Sequence, residues 1–258
     1  MREYQCVSDP ELVRQRGLFV AEGRLIVERL IAEKRYSVQS LLLSVAAHRA
    51  LAASLSALPS SVPVYVCDAA DLRGITGYDV HRGCLALAAR PVAASIDLIL
   101  RDARFVVVLE GVTNPDNVGG VFRNAAAFGA DAVLLDATSC DPLYRKAIRT
   151  SMAATLRVPF ARADPPDGWT DALLDLKARG FSLVALTPAE SASDLDEFAG
   201  SARPPRVALL LGSEGPGLRP ASEAAADYRV RIPIRHDVDS LNLAVAAGIA
   251  LHRLCRGR

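Results

Sequence analysis

Apolar residues fall along this chain in two textures. Before residue 92 the runs are short and alternate with polar stretches. Leu25, Ile26, Leu30 and Ile31 recur at helical spacing after Gly17-Leu-Phe-Val-Ala-Glu-Gly23. Residues 38–45 read as a strand, 46–58 as a helix, 62–67 as a β-rich run closed by Asp68, and 83–89 as a last apolar run before Arg90-Pro91. Residues 91–97, small, apolar and opened by proline, read as a linker. Beyond it the apolar runs become continuous. Residues 105–109 carry no polar side chain, as expected of a strand buried on both faces. A Gly/Asn-rich turn, a helix over 121–128 and a second such strand over 132–135 follow, which makes a β-α-β unit and predicts a parallel sheet. Further strands are expected at 181–186, 207–211 and 228–234, and an apolar helix at 241–254. Residues 164–200 are acidic and contain proline, a pattern for a solvated helix and loops. The expected class is therefore α/β, in two domains spanning 1–92 and 98–258, without internal repeats.

Composition narrows the function. The chain has 258 residues, 51% hydrophobic and 23% charged, which excludes disorder. Thirty basic and 29 acidic residues leave a net charge of +1, so a polybasic coat is excluded while a local basic patch is not. Lys34, Lys146 and Lys177 are the only lysines, so the positive charge is nearly all arginine, whose planar fork suits phosphate. The five cysteines (6, 67, 84, 140 and 255) are odd in number and contain no C-x-x-C, against both a disulfide framework and a zinc knuckle. His48, His81, His236 and His252 form no i, i+4 pair, and no metal site is expected. The N-terminus lacks an apolar signal region, and the uncharged run 50–67 is broken by serines and by Pro59 and Pro63. A cytoplasmic protein without a membrane segment is the expectation.

Three Gly- or Asn-rich segments each follow a predicted strand, where open α/β sheets place ligands. The first is Asn114-Pro-Asp-Asn-Val-Gly-Gly-Val-Phe-Arg123-Asn124. With a helix beginning near Val118, Asn117 and Arg123 both project toward the strand ends. A capping turn with an exposed arginine is the plainer alternative. The second, Leu211-Gly-Ser-Glu-Gly-Pro-Gly217, is followed by Leu-Arg-Pro, where a phosphate-binding loop needs Gly-Lys-Ser/Thr. It also lacks the G-x-G-x-x-G order of a dinucleotide site and the G-x-S-x-G of an esterase. A nicotinamide-dependent oxidoreductase is thereby disfavoured. The third runs from Ile232-Pro through Arg235-His-Asp-Val-Asp-Ser-Leu-Asn242 to Ala247. Ser240 or Asp239 is the expected cap of the terminal helix, with Asn242 one turn inside it.

Taken together, N-x-x-x-x-x-R at 117–123, G-S-E-G-x-G at 212–217 and I-P…S-L-N-x-A-V-A at 232–247 resemble the three motifs of the SpoU (TrmH) family of 2′-O-ribose RNA methyltransferases, in the SPOUT superfamily. The resemblance covers residues 98–258. Phe19-Val-Ala-Glu-Gly23 and His81-Arg-Gly-Cys-Leu-Ala86 carry a weaker likeness to the L30e-like substrate-binding domain attached to many members. The resemblance implies an α/β trefoil knot, S-adenosylmethionine as cofactor and a homodimer with the motif helices at its interface. It implies catalytic roles for Arg123, Asn117, Glu214, Ser240 and Asn242, and a cofactor pocket lined by Leu186, Thr187, Gly212, Ile232 and Leu241. It also implies an RNA substrate, ribosomal in preference to transfer RNA. A catalytically silent RNA binder is the alternative. Residues 142–163 contain five basic and no acidic side chains. Arg145 and Arg149 there, with Arg14 and Arg16 nearer the N-terminus, are the candidate RNA contacts, and scarce aromatics (5%) favour phosphate and shape over base stacking. The charged stretch 235–239 departs from the small, Gly-containing segment of many relatives.

Overall fold

A computed structural model describes residues 2–5, 8–163, 168–201 and 204–255. Cys6 and the opening of the acidic stretch, 164–167, lie outside the described residues. The chain separates into two compact units. One comprises Met1–Val92 together with Asp141–Arg157, and the other Ala93–Cys140 with Val158–Arg258. The expected domain over 98–258 therefore needs correction, because the basic stretch groups with the first unit.

That unit holds β1 (Leu18–Glu22), β2 (Val38–Ser44), β3 (Val64–Cys67) and β4 (Cys84–Ala89) in the order β1-β4-β2-β3. β4 runs antiparallel to β1 and β2, while β3 is parallel to β2. Around them lie α1 (Arg24–Ala32), α2 (Val45–Ala50), α3 (Ala52–Leu55) and α4 (Ala69–Thr76). The single helix expected over 46–58 is interrupted at Leu51, whose φ of −95° and ψ of 3° break the ladder. Glu22 and Leu85 face each other across β1 and β4, so the two segments of weaker resemblance are sheet neighbours. Within the returning stretch Leu143, Ile148 and Leu156 are buried, and polar contacts add to their packing. Arg90 pairs with Asp141 at 2.6 Å, the Arg145 amide donates to Asp9 at 3.0 Å, and Arg157 meets Glu33 at 3.2 Å.

The second unit begins with α5 (Ile96–Leu100), capped by Ser95, so the expected linker is already helical at its end. β5 (Phe105–Glu110), α6 (Pro115–Phe128) and β6 (Ala132–Asp136) form the expected β-α-β unit. α7 (Arg145–Thr150) belongs to the first unit. β7 (Phe160–Ala163), α8 (Trp169–Ala178), β8 (Ser182–Leu186), β9 (Ser193–Asp194), α9 (Leu195–Gly200), β10 (Val207–Gly212), α10 (Pro220–Ala225), β11 (Tyr228–Arg231) and α11 (Leu243–Leu254) complete it. Seven strands pair in parallel in the order β7-β6-β5-β10-β8-β11-β9. β5, β6 and the first five residues of β10 are buried throughout, their apolar runs covered on both faces. The stretch expected to be solvated holds α8, with Trp169 and Leu173 in the core.

α6 starts earlier than its apolar pattern predicts. The Asn114 side chain accepts from the Asp116 amide at 2.9 Å and Pro115 occupies the first turn, a strong start signal that lies outside the periodic part. Among the described residues, no helix is long and apolar enough to cross a membrane.

Candidate cofactor and catalytic site

β10 lies between β5 and β8, so the loops leaving β8, β10 and β11 converge at one edge of the second unit. They enclose a cavity of about 340 Å³, within the usual size of small-molecule sites. Leu186 and Thr187 line it from β8, Gly212 and Glu214 from β10, Ile232 from beyond β11, and Ser240 and Leu241 from the approach to α11. All five residues expected in a cofactor pocket are thus brought together, along with two of the five expected catalytic ones.

The β10 loop is a closed turn. The Gly217 amide donates to the Ser213 carbonyl at 3.1 Å, and Gly215 and Gly217 hold φ of +84° and +73°. Gly212 is expected in the lining of a cofactor pocket. The structure shows why the position is glycine: a Cβ there would stand 2.2 Å from the Gly217 carbonyl carbon and 2.3 Å from the Leu218 nitrogen. The return of the loop occupies the space of a side chain.

Asn242 joins the three motifs. Its Oδ1 accepts from the amides of Ala244 and Val245 at 3.0 and 3.3 Å, which makes it the cap of α11 in place of Ser240 or Asp239. Its Nδ2 donates to Asn117 Oδ1 at 2.9 Å and to Glu214 Oε1 at 3.0 Å. Each face of this amide is used, so its orientation is fixed. Asn117 is buried in the first turn of α6. Behind it α6 and α11 cross closely: a Cβ on Gly120 would lie 2.5 Å from Ala244 Cβ, and Asn124 Nδ2 donates to the Ala244 carbonyl at 2.7 Å. Asn124 ends the first motif, and reading the motif alone gave it no partner.

Arg123 corrects the expectation that it and Asn117 project together. Six residues of helix turn a side chain about 120° away and carry it about 9 Å along the axis. Asn117 consequently faces inward and Arg123 outward. Among the described residues Arg123 makes no hydrogen bond or ion pair. Ser240 is exposed at the cavity border.

A buried polar cluster, missed from sequence, anchors the far end of the β10 loop. Glu110 closes β5 at 2% exposure and accepts from Trp169 Nε1, Ser222 Oγ and the Arg219 amide. The Arg219 guanidinium reaches the buried Asp136, which closes β6. Burial works against ionising the Asp136 carboxyl. Hydrogen bonds from Ser139, Thr138 and the Gly111 amide outweigh that and hold it below the usual carboxylate range. The signal in the sequence was a lone acid ending each apolar strand run. Glu110→Ala strands the Trp169 and Ser222 donors in the core. It is expected to destabilise the fold by about 2–4 kcal/mol, with Glu110→Gln milder. Thermal unfolding of the two variants measures this, and equal loss from both would contradict it.

The four candidate RNA arginines lie on the first unit and are already engaged. Arg145 and Arg149 each stand 3.7 Å from the buried Glu22 carboxylate, which also accepts from the His81 amide at 2.8 Å. Arg145 also lies 4.4 Å over the Tyr78 ring. Arg14 stacks 6.0 Å over Tyr144, and Arg16 pairs with Glu11 at 2.5 Å. Of these, Arg149 keeps about half of its side chain exposed (46%). Among the described residues no group of three or more His, Cys, Asp or Glu is placed to hold a metal ion.

Known proteins resemble this chain in sequence, and solved ones in fold. A protein of Mycobacterium tuberculosis described as an uncharacterized tRNA/rRNA methyltransferase is 40% identical over 248 residues, which covers 96% of this chain and 84% of that one. The 23S rRNA (guanosine-2′-O-)-methyltransferase of Ralstonia nicotianae is 33% identical over 193 residues, 72% of this chain and 74% of the relative. Among solved structures, the SpoU methyltransferase AviRb of Streptomyces viridochromogenes, in complex with AdoMet, superposes with a TM-score of 0.77 at 25% identity. That match covers 95% of this chain and 92% of the other. An AdoMet-bound rRNA methyltransferase of Sinorhizobium meliloti gives 0.77 at 26% identity, covering 95% and 89%. The family model of the SpoU rRNA methylases matches residues 104–252, the stretch that contains all three motif loops, α6 and all but the last two residues of α11. This chain belongs to the SpoU rRNA methylase family.

Proposed function

We propose that this protein methylates a ribose 2′-hydroxyl of RNA, ribosomal RNA in preference to transfer RNA, with S-adenosylmethionine as the methyl donor. The observation that carries the reading is the meeting of all three motif segments. Two of them border one glycine-closed cavity, and Asn242 ties Asn117 of the third to Glu214 on its rim. The residues fit the donor. The β10 loop gives a wall of bare backbone for the adenosine, and Leu186, Ile232 and Leu241 give it apolar faces. When bound, the donor supplies an electrophilic methyl carbon on a sulfonium.

The chain has to align a ribose with that carbon and manage a weakly acidic proton. With the donor bound, the chain would hold the 2′-oxygen in line with that methyl carbon, for transfer of the methyl from sulfur to oxygen with loss of the hydroxyl proton. Arginine, with a pKa above about 12, is no base. Arg123, exposed on α6 and without a side-chain partner among the described residues, instead grips the adjacent RNA phosphate and stabilises the developing alkoxide. A phosphate oxygen or water takes the proton. Asn117 and Asn242 hold the α6 and α11 starts in register, while Ser240 and Glu214 border the entrance. The same reading includes a knotted C-terminal segment. The β10 loop and the stretch from Ile232 to Leu243 walling one cavity support it. It also includes a homodimer, supported by exposed Val245 and Ile249 on α11. In this reading the first unit is an L30e-like holder of RNA, and the protein acts in the cytoplasm.

Transfer of labelled methyl from S-adenosylmethionine tests the proposal, using ribosomal and transfer RNA from cells lacking the protein. The modified position is mapped by its resistance to alkaline cleavage. Label in ribosomal RNA at an alkali-resistant site is expected. Label on a base, with no resistant site, would overturn ribose chemistry, and label in transfer RNA alone would reverse the preference.

A further inference from the structure

Among the described residues that line the cavity, the charged ones are Glu214 and Asp239, both acidic, and no lysine, arginine or histidine joins them. Glu214 accepts from the Asn242 amide, a neutral donor that leaves its charge uncancelled. Asp239, in the exposed approach to α11, makes no hydrogen bond or ion pair among the described residues. Arg235, four residues before it, is committed to Asp237 through Nε and Nη2, at 2.9 and 3.1 Å. The cavity thus carries two formal negative charges and no counter-charge of its own.

We propose that Asp239, together with Glu214, makes this cavity select the methyl donor over its demethylated product by charge. The inference rests on reading the cavity as the cofactor site. S-adenosylmethionine has a sulfonium, an ammonium and a carboxylate, hence one net positive charge. S-adenosylhomocysteine has lost the sulfonium charge and is neutral overall. The two ligands differ by one methyl group and its positive charge, and an acidic wall senses the charge. Attraction is present while the donor loads and is reduced once the methyl has gone, which favours exchange of product for fresh donor. Within the charged stretch 235–239, Asp239 supplies the carboxylate to the cavity wall, while Arg235 is paired with Asp237. Two unit charges about 4 Å apart in a water-exposed setting differ from an uncharged pair by roughly fivefold in affinity.

Isothermal titration of both ligands into the full-length protein tests this. Asp239→Asn should weaken S-adenosylmethionine by about five- to tenfold while S-adenosylhomocysteine changes by less than about twofold. Asp239→Glu should keep the wild-type ratio, and raising the salt should shrink that ratio in the wild type. An Asn variant with an unchanged ratio, or one that weakens both ligands equally, overturns the charge argument. Gly212→Ala separates this from the parent reading. If it leaves both affinities at wild-type values, the cavity is not the cofactor site; if it abolishes both while Asp239→Asn leaves the ratio intact, only the charge argument falls.

Discussion

Gly212→Ala is expected to cost at least about a hundredfold in affinity for S-adenosylmethionine, close to 3 kcal/mol. The substitution adds one carbon, and that carbon would lie 2.2, 2.3 and 2.5 Å from three backbone atoms of Gly217 and Leu218. A clash with a side chain can be relieved by a rotamer change. A clash with backbone requires the whole turn to move, and this turn is pinned beyond its end by the Arg219 amide on Glu110. The strand before it stays buried in the sheet, so the fold is expected to persist while the cavity wall is displaced. Gly215→Ala is the matched control. It too lies in the loop, with φ of +84°, but a Cβ there meets nothing within 4 Å. Its cost is the left-handed backbone alone, about 1–2 kcal/mol, borne mainly by stability. Calorimetric titration with circular dichroism on both variants distinguishes them. Wild-type affinity in Gly212→Ala would refute the role given to this loop.

Arg123→Ala is expected to have the opposite profile. The side chain is exposed, unpaired among the described residues and absent from the cavity lining, so stability should change by less than about 0.5 kcal/mol and donor affinity should not change. Methyl transfer should fall by about 10²–10³, the usual loss when a donor to a developing oxyanion is removed. Arg123→Lys keeps the charge and loses the fork, so only a small part of the activity should return. Single-turnover methylation with saturating donor reads this directly. Near-full activity in the lysine variant would exclude a bidentate grip on phosphate, and near-full activity in the alanine variant would remove Arg123 from the chemistry.

The parts of the fold that were legible in the sequence share one property: their signal is local. Residues 105–109 and 207–211 read as buried strands because an unbroken apolar run needs no knowledge of its partner. The three motif loops were legible because glycine and asparagine cluster after those runs. Where local signals competed, the reading shifted. α6 begins at Pro115 because Asn114 caps it, although its apolar periodicity starts later. The sequence pattern places Asn242 one turn inside the terminal helix. It is the cap itself, and its two ends serve the helix and Asn117. β9, two residues long, has no pattern to detect.

By itself the sequence determined the α/β class, the parallel sheet, the three segments that meet at the site and the family to which they belong. The class, the sheet and the segments follow from residue periodicity or from chemistry within a few positions, and the family from the resemblance of the three motifs. Only the tertiary structure decided that β10 runs between β5 and β8, that Asp141–Arg157 groups with the N-terminal unit, and that Asn117 meets Asn242 across 125 positions of chain. It alone placed Arg123 on the outer face of its helix, with Asn117 turned inward. It alone set Glu110 and Asp136 beneath Arg219. Those outcomes rest on pairings between distant residues, where the energy of a buried charge or a fixed amide depends on what the fold brings beside it rather than on what precedes it in the chain.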